Sequence, residues 1–186
     1  MGVLKKNHKK IGVLGGTFDP PHVGHLEISK FAIKKLKLKF LIWAVTKKNP
    51  LKNKSYFSLQ KRVDFSKNVI SKVNKIKIET YDDTIRSSKT INLVKYLKKK
   101  YKKSEIFFLM GSDNLLKFHK WHDWQKISDF CKIVVFPRNG YLKQIFKCKA
   151  YNYLGKEKIK FIKSKRINIS SSKLRKNYLK YKLWKF

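Results

Sequence analysis

The chain is short of cysteine, arginine, acidic residues and linker-forming small residues, and each shortage narrows the field. Its two cysteines, Cys131 and Cys148, are too few for a disulfide framework and lack the spacing of metal ligands. That usage fits a reducing compartment, so a cytoplasmic location is expected. Eight glycines and four prolines are scattered along 186 residues and never pool into a linker. The length is about one domain's worth, so a single domain over residues 1–186 is expected. No apolar run approaches the roughly 20 residues that cross a membrane. The start, MGVLKKNHKK, has no apolar signal core behind its basic residues, and Lys6 stands where a myristoylation signal takes Ser or Thr. These absences argue against membrane, secreted and fibrous classes.

Only 11 acidic residues face 47 basic ones, a formal net charge of +36. Arginine accounts for five of the basic residues: Arg62, Arg86, Arg138, Arg166 and Arg175. Lysines on phosphates release counterions and bind nucleic acid without sequence preference. Yet the lysines run along the whole chain rather than in one stripe, and readers of base edges lean on arginine's planar fork. A solvated lysine surface, of the kind an A/T-biased coding sequence produces, is therefore favoured over a nucleic-acid footprint. Either way, anionic small molecules are attracted.

With 42% hydrophobic residues the chain can bury an ordinary core. Short apolar runs alternate with longer amphipathic stretches. Lys10–Leu14, Phe40–Val45, Lys75–Glu79, Glu105–Met110, Lys132–Pro137 and a segment near Lys158–Ile162 read as strands, the first stopping at Gly15-Gly16. Val23–Lys37, Ser58–Ile70 and Thr90–Tyr101 read as helices, the second with Leu59, Val63, Phe65, Val69 and Ile70 inward. A Trp-rich segment separates the fourth and fifth strands, and a short terminal helix starts at Ser171 or Ser172. The expected fold is one α/β domain with a mainly parallel sheet and helices on both faces. Ligands in such sheets sit beyond the carboxyl ends of the strands.

The exit of the first strand carries the most informative run, Gly15-Gly16-Thr17-Phe18-Asp19-Pro20-Pro21-His22-Val23-Gly24-His25. Glycines admit close backbone approach to a phosphate, and a helix beginning near His22 aims N–H groups at an anion. His22 and His25, three apart, project from one face of the first helical turn. Two imidazole donors at a positive helix end suit growing charge on a transferring phosphoryl group. The run is neither a Walker loop nor a dinucleotide fingerprint. Two other readings stand beside it: histidines that merely cap or pack, and a zinc pair lacking a nearby third ligand.

This run resembles the signature of the HxGH nucleotidylyltransferases. In order along nearly its whole length, the chain is similar to the bacterial nicotinate-nucleotide adenylyltransferases among them. Asn49-Pro50-Leu51-Lys52 resembles their basic loop after the second strand. Met110-Gly111-Ser112-Asp113-Asn114-Leu115 and Phe118-His119-Lys120-Trp121-His122-Asp123-Trp124 resemble their fourth-strand exit and Trp-bearing segment. Phe136-Pro137-Arg138 and Ile169-Ser170-Ser171-Ser172-Lys173-Leu174-Arg175 resemble their later motifs.

The resemblance implies a Rossmann-like fold and a reaction joining ATP to nicotinate mononucleotide, with release of pyrophosphate. It implies that Gly15, Gly16, Thr17 and Phe18 receive phosphates. His22 and His25 would bridge the triphosphate, and Arg175 would point back to its β- and γ-phosphates. Lys52, Arg138, Ser171 and Ser172 would complete the ATP site. Lys47, Lys48 and Lys54 compete with Lys52, and one serine serves equally well as a helix cap. Ser88, Thr90, Gly111, Asp113 and Trp121 would bind the mononucleotide, Asp113 through ribose hydroxyls and Trp121 by stacking, with Trp124 for packing. Periodicity alone allows core packing for both tryptophans. Ser88-Lys89-Thr90-Ile91-Asn92-Leu93 departs from the usual Ser/Arg-Tyr-Thr with Asp-Thr following. Magnesium is expected on the polyphosphate, with no protein metal site. Two rivals share parts of this description: a phosphopantetheine adenylyltransferase, and a basic nucleic-acid-binding protein on a Rossmann-like shell. Pro20-Pro21, the Trp121 segment and the length weigh against the first.

Overall fold

The computed structural model describes residues 8–49, 54–137, 141–163 and 170–181. Among the described residues six strands, β1 (Lys9–Gly16), β2 (Phe40–Val45), β3 (Ile76–Glu79), β4 (Ser104–Gly111), β5 (Lys132–Phe136) and β6 (Ile159–Phe161), pair in parallel in the order β3-β2-β1-β4-β5-β6. Their sequences read as continuous apolar runs because both faces of the sheet are covered. Successive side chains then enter opposite cores: Ile42 and Ala44 join one, while Leu41, Trp43 and Val45 join the other.

Helices α1 (Val23–Leu36) and α2 (Leu59–Ile70) cover one face, where Ala32, Leu36, Val63 and Ile70 meet Trp43 and Leu109. The other face is covered by α3 (Thr90–Lys100), α4 (Ser112–Lys117), α5 (Trp124–Phe130), α6 (Leu142–Ile145) and α7 (Lys149–Lys158). Helix α8 spans Ser171–Tyr181. Local chemistry sets the ends of these helices. Lys37, in the left-handed conformation (φ 53°), returns its N–H to Ile33 and Lys34 and stops α1. Ser58 Oγ accepts from Lys61 N at 3.3 Å and starts α2. Gly155 (φ 70°, ψ 177°) interrupts α7, a backbone setting open to glycine.

The expected α/β architecture holds, with four local differences. β1 runs through both glycines, because Gly15 and Gly16 pair with Ala44 and Val45, and Gly16 O accepts from Thr46 N at 3.0 Å. In α2 the fully buried positions are Arg62 and Ser66, with the apolar residues only half-buried around them. The cap of α8 is Ser170, whose Oγ accepts from Lys173 N at 3.3 Å, rather than Ser171 or Ser172. Helices α6 and α7 have no clear signature in the sequence, because among the described side chains Ile145, Ala150 and Leu154 are their buried anchors, spread through polar sequence. Among the described residues no helix is long and apolar enough to cross a membrane.

The strand order reverses between β1 and β4, whose connections leave toward opposite ends of the sheet. A crevice opens beyond the carboxyl ends of strands at such a switch point. The Gly15–His25 run leaves β1 there, and the Asp113–Trp121 segment leaves β4 there.

Candidate active site

A cavity of about 890 Å3 occupies that crevice, within the usual size of a small-molecule site. Gly15, Gly16, Thr17, Phe18, His22 and His25 line one part of it. The left-handed residue of the turn is Phe18 (φ 48°), not a glycine. Its ring is buried and stacks on Trp43 at 4.9 Å, with planes 14° apart, which holds the strained residue in place. A methyl group at Gly16 would meet Phe18 at ordinary contact distances, its ring at 3.6 Å and its backbone N at 3.9 Å, so protein packing does not demand glycine there.

His22 is extended (φ −156°, ψ 168°) and immediately precedes α1. Its backbone N–H donates to Nδ1 of His25 at 3.2 Å. An accepting Nδ1 leaves the neutral ring's proton on Nε2, making that atom a donor. The two rings lie 3.9 Å apart between centroids, tilted by 35°. Capping and cavity lining therefore coexist in His25. Among the described residues no three His, Cys, Asp or Glu side chains form a group able to hold a metal ion.

The Asp19 carboxylate beneath this turn is buried and accepts from Tyr56 N at 2.8 Å and Phe57 N at 3.0 Å. Helix α8 docks on the same turn: Ser171 Oγ donates to Pro20 O at 2.8 Å. Arg175 Nη1 donates to the Asp19 carbonyl and lies 3.8 Å from its carboxylate, while Nη2 donates to Ser172 Oγ at 3.2 Å.

At the other part of the cavity Gly111 ends β4 and Asp113 lies in the first turn of α4. Trp121 closes a 3-10 turn, Phe118–Lys120, and meets Phe118 and Phe108 at 5.1 and 6.1 Å, both steeply inclined. Opposite stands the start of α3, with Thr90 its first residue and Lys89 just before it. Lys89 Nζ lies 3.4 Å from His122 Nε2. Ser88 Oγ donates to Asp82 Oδ2 at 2.5 Å. Tyr81 also lines the cavity, and its buried hydroxyl has no hydrogen-bond partner among the described residues. Burial, helped by Glu79, raises the pKa of that phenol and keeps it protonated.

Residues 13–177 match the cytidylyltransferase-like family. A probable nicotinate-nucleotide adenylyltransferase of Pelagibacter ubique (strain HTCC1062) is 51% identical over 173 residues, 93% of this chain and 96% of that protein. The chain belongs to the nicotinate-nucleotide adenylyltransferase family. A second relative of the same description, from Aquifex aeolicus (strain VF5), is 38% identical over 86% of this chain and 98% of its own length. The fold is shared with a Plasmodium falciparum nicotinic acid mononucleotide adenylyltransferase complexed with NaAD. That match has a TM-score of 0.72 at 20% identity, covering 91% of this chain and 83% of that one.

Within this family member, the residues expected at the site distribute as follows. Gly15 to Phe18, His22, His25, Ser88, Thr90, Gly111, Asp113, Trp121, Ser171 and Ser172 all line the one cavity. The Arg175 guanidinium is held by Asp19 and Ser172. Lys52 and Arg138 lie outside the described residues. Trp124 is 6% exposed, against Phe118 and Tyr153, as packing requires. Sequence patterning assigns no site role to Asp82, Lys89, His122 or Arg62. Asp82 had a signal available: it leaves a strand at its carboxyl end in a chain with very few acids. Arg62 and Ser66 had one too, sharing the helical face of Leu59 and Val69.

Proposed function

We infer that the chain transfers the adenylyl group of ATP to nicotinate mononucleotide, giving nicotinate adenine dinucleotide and pyrophosphate in NAD biosynthesis. One observation carries this reading: a single cavity joins two imidazoles at a helix start to a tryptophan and a carboxylate across the switch point. Membership of the family supports it. In this reading Gly15, Gly16, Thr17 and Phe18 receive phosphates, with His22 and His25 donating to the triphosphate. Ser171, Ser172, Lys52 and Arg138 complete the ATP side. Arg175 acts by leaving Asp19 for the outer phosphates when ATP enters.

The mononucleotide's 5′-phosphate oxygen attacks the α-phosphorus of ATP. As that bond forms, the bond from the α-phosphorus to the bridging oxygen breaks, and its electron pair leaves on pyrophosphate. The nucleophile is already an anion near neutral pH, so no strong general base is needed. The protein's work is alignment and neutralisation. Imidazole, hydroxyl and backbone N–H donors fit phosphate oxygens, and a magnesium ion riding on the triphosphate would add positive charge there. The reading places catalysis in the cytoplasm, in keeping with the free Cys131 and Cys148.

On the acceptor side Asp113 takes hydrogen bonds from ribose hydroxyls and Trp121 stacks on the pyridine ring. Ser88 and Thr90 frame that ring. Lys89, beside His122, brings positive charge suited to nicotinate's carboxylate and not to a neutral amide. The test is pyrophosphate release from magnesium–ATP with nicotinate mononucleotide, nicotinamide mononucleotide or phosphopantetheine. The expected outcome is turnover with the first far above the others. Turnover with phosphopantetheine alone, or salt-sensitive nucleic-acid binding without pyrophosphate release, overturns the reading.

A further inference from the structure

Arg62 is 2% exposed, yet among the described residues all of its hydrogen bonds go to main-chain carbonyls and none to a carboxylate. Nη1 donates to Thr17 O at 2.6 Å and Thr46 O at 2.8 Å, Nη2 to Lys47 O at 3.3 Å, and Nε to Phe57 O at 3.1 Å. One guanidinium thus ties the phosphate turn after β1, the turn after β2 and the approach to α2. Burial lowers its proton affinity, while the nearby Asp19 and Asp82 carboxylates oppose that and favour the charged form.

Asp82 grips the turn after β2 from the other side. Its Oδ2 accepts from Thr46 Oγ1 and Lys47 N, each at 2.8 Å, and from Ser88 Oγ at 2.5 Å. Ser88 leads into α3, at the acceptor part of the cavity. A continuous path of hydrogen bonds therefore runs from Thr17 through Arg62, the Thr46–Lys47 turn and Asp82 to Ser88. It spans the two parts of the cavity from below, without either charged group occupying the phosphate turn itself.

We propose that Arg62 and Asp82 form a clasp of positioning residues that sets the separation and orientation of the two substrates. The proposal rests on the adenylyl-transfer reading and adds to it a cause for the alignment of nucleophile and α-phosphorus. Both residues act through the turn they share. Each substrate still finds most of its own contacts when the clasp is loosened, so the loss falls on turnover. Displacement of reacting groups by about 1 Å is enough to cost about 100-fold.

The test uses the full chain with Arg62→Lys, Arg62→Met, Asp82→Asn and the Arg62→Lys/Asp82→Asn double variant. Turnover and both Michaelis constants are measured well below each variant's melting temperature, with circular dichroism to verify folding. Lysine keeps the charge but cannot reach four carbonyls at once. Arg62→Lys and Asp82→Asn should each lower turnover about 10-fold or more, with both Michaelis constants within about 3-fold of wild type. The double variant should lose little beyond the worse single, as expected for two ends of one device. Wild-type turnover in Arg62→Lys, losses that multiply in the double, or an effect confined to melting temperature each overturn the clasp. Should Arg62→Met fail to fold, the other three variants decide. An inactive wild type fails the adenylyl-transfer reading instead, so the two failures are distinguishable.

Discussion

The indole Nε1 of Trp43 donates to Ser29 Oγ at 2.8 Å in the buried layer between β2 and α1. Ser29 Oγ passes the link on, donating to the carbonyl of His25 at 2.7 Å. The middle of the sheet thereby fixes the rotation of the first turn of α1, and with it the imidazole pair. Linked hydrogen bonds of this kind reinforce one another in a low-dielectric interior.

Ser29→Ala should expose the value of that link. It strands the buried indole N–H, a loss of about 1–3 kcal/mol. Urea unfolding reads the stability, and turnover should fall in the same variant because the imidazoles lose their reference point. Unchanged stability and turnover would make the contact incidental.

His22→Ala should lower turnover about 100-fold or more, the scale for losing a donor to transition-state charge. Circular dichroism should be unaltered, because His22 precedes α1 and anchors no apolar core. Near-normal turnover would remove the phosphate-site assignment.

The two neighbouring tryptophans should separate cleanly. Trp121→Ala should raise the Michaelis constant for the mononucleotide more than that for ATP. Trp124→Ala should cost about 3–5 kcal/mol of stability, as for a large aromatic removed from a core. Equal effects of Trp121→Ala on both substrates would mark it as another packing residue.

Lys89→Gln should narrow the preference for nicotinate over nicotinamide mononucleotide, chiefly by weakening the acid form. The ratio of kcat/KM for the two substrates checks it. A ratio identical to wild type would leave discrimination to the backbone at the start of α3.

Burial pushes the Cys131 thiol up from 9.0 to about 12. A group whose proton is held more tightly in the folded chain contributes its full share below the unfolded value and loses it as pH rises toward the folded one. Stability should fall between pH 9 and 12 more steeply in wild type than in Cys131→Ala, by up to about 1.4 kcal/mol per unit. Comparing the two chains cancels the titration of the many lysines. Parallel curves would mean that the thiol ionises equally well in both states.

Strands were legible wherever two covered faces forced unbroken apolar runs, as in Phe40–Val45. The turn after β1 is legible because glycine, proline and histidine cluster there in one fixed spacing. Where polarity mixes with a few anchors the pattern dissolved, as in the α6–α7 region held by Ile145, Ala150 and Leu154. Arg62 is a mixed case. Its spacing from Leu59 and Val69 puts it on the inward face of α2, but the backbone carbonyls that receive its guanidinium come from distant segments and have no local signal. The Ser170 cap lies one residue before the expected serines, since three successive serines carry the same chemistry and only the backbone chooses among them.

Ser171 and Arg175 clamp Pro20 and Asp19 across some 150 positions of sequence. On the ribosome, every strand of the sheet emerges before these two residues do. A nascent chain therefore makes the contacts of Asp19 with Tyr56 and Phe57 first, and the second fastening of that turn waits until α8 has been made.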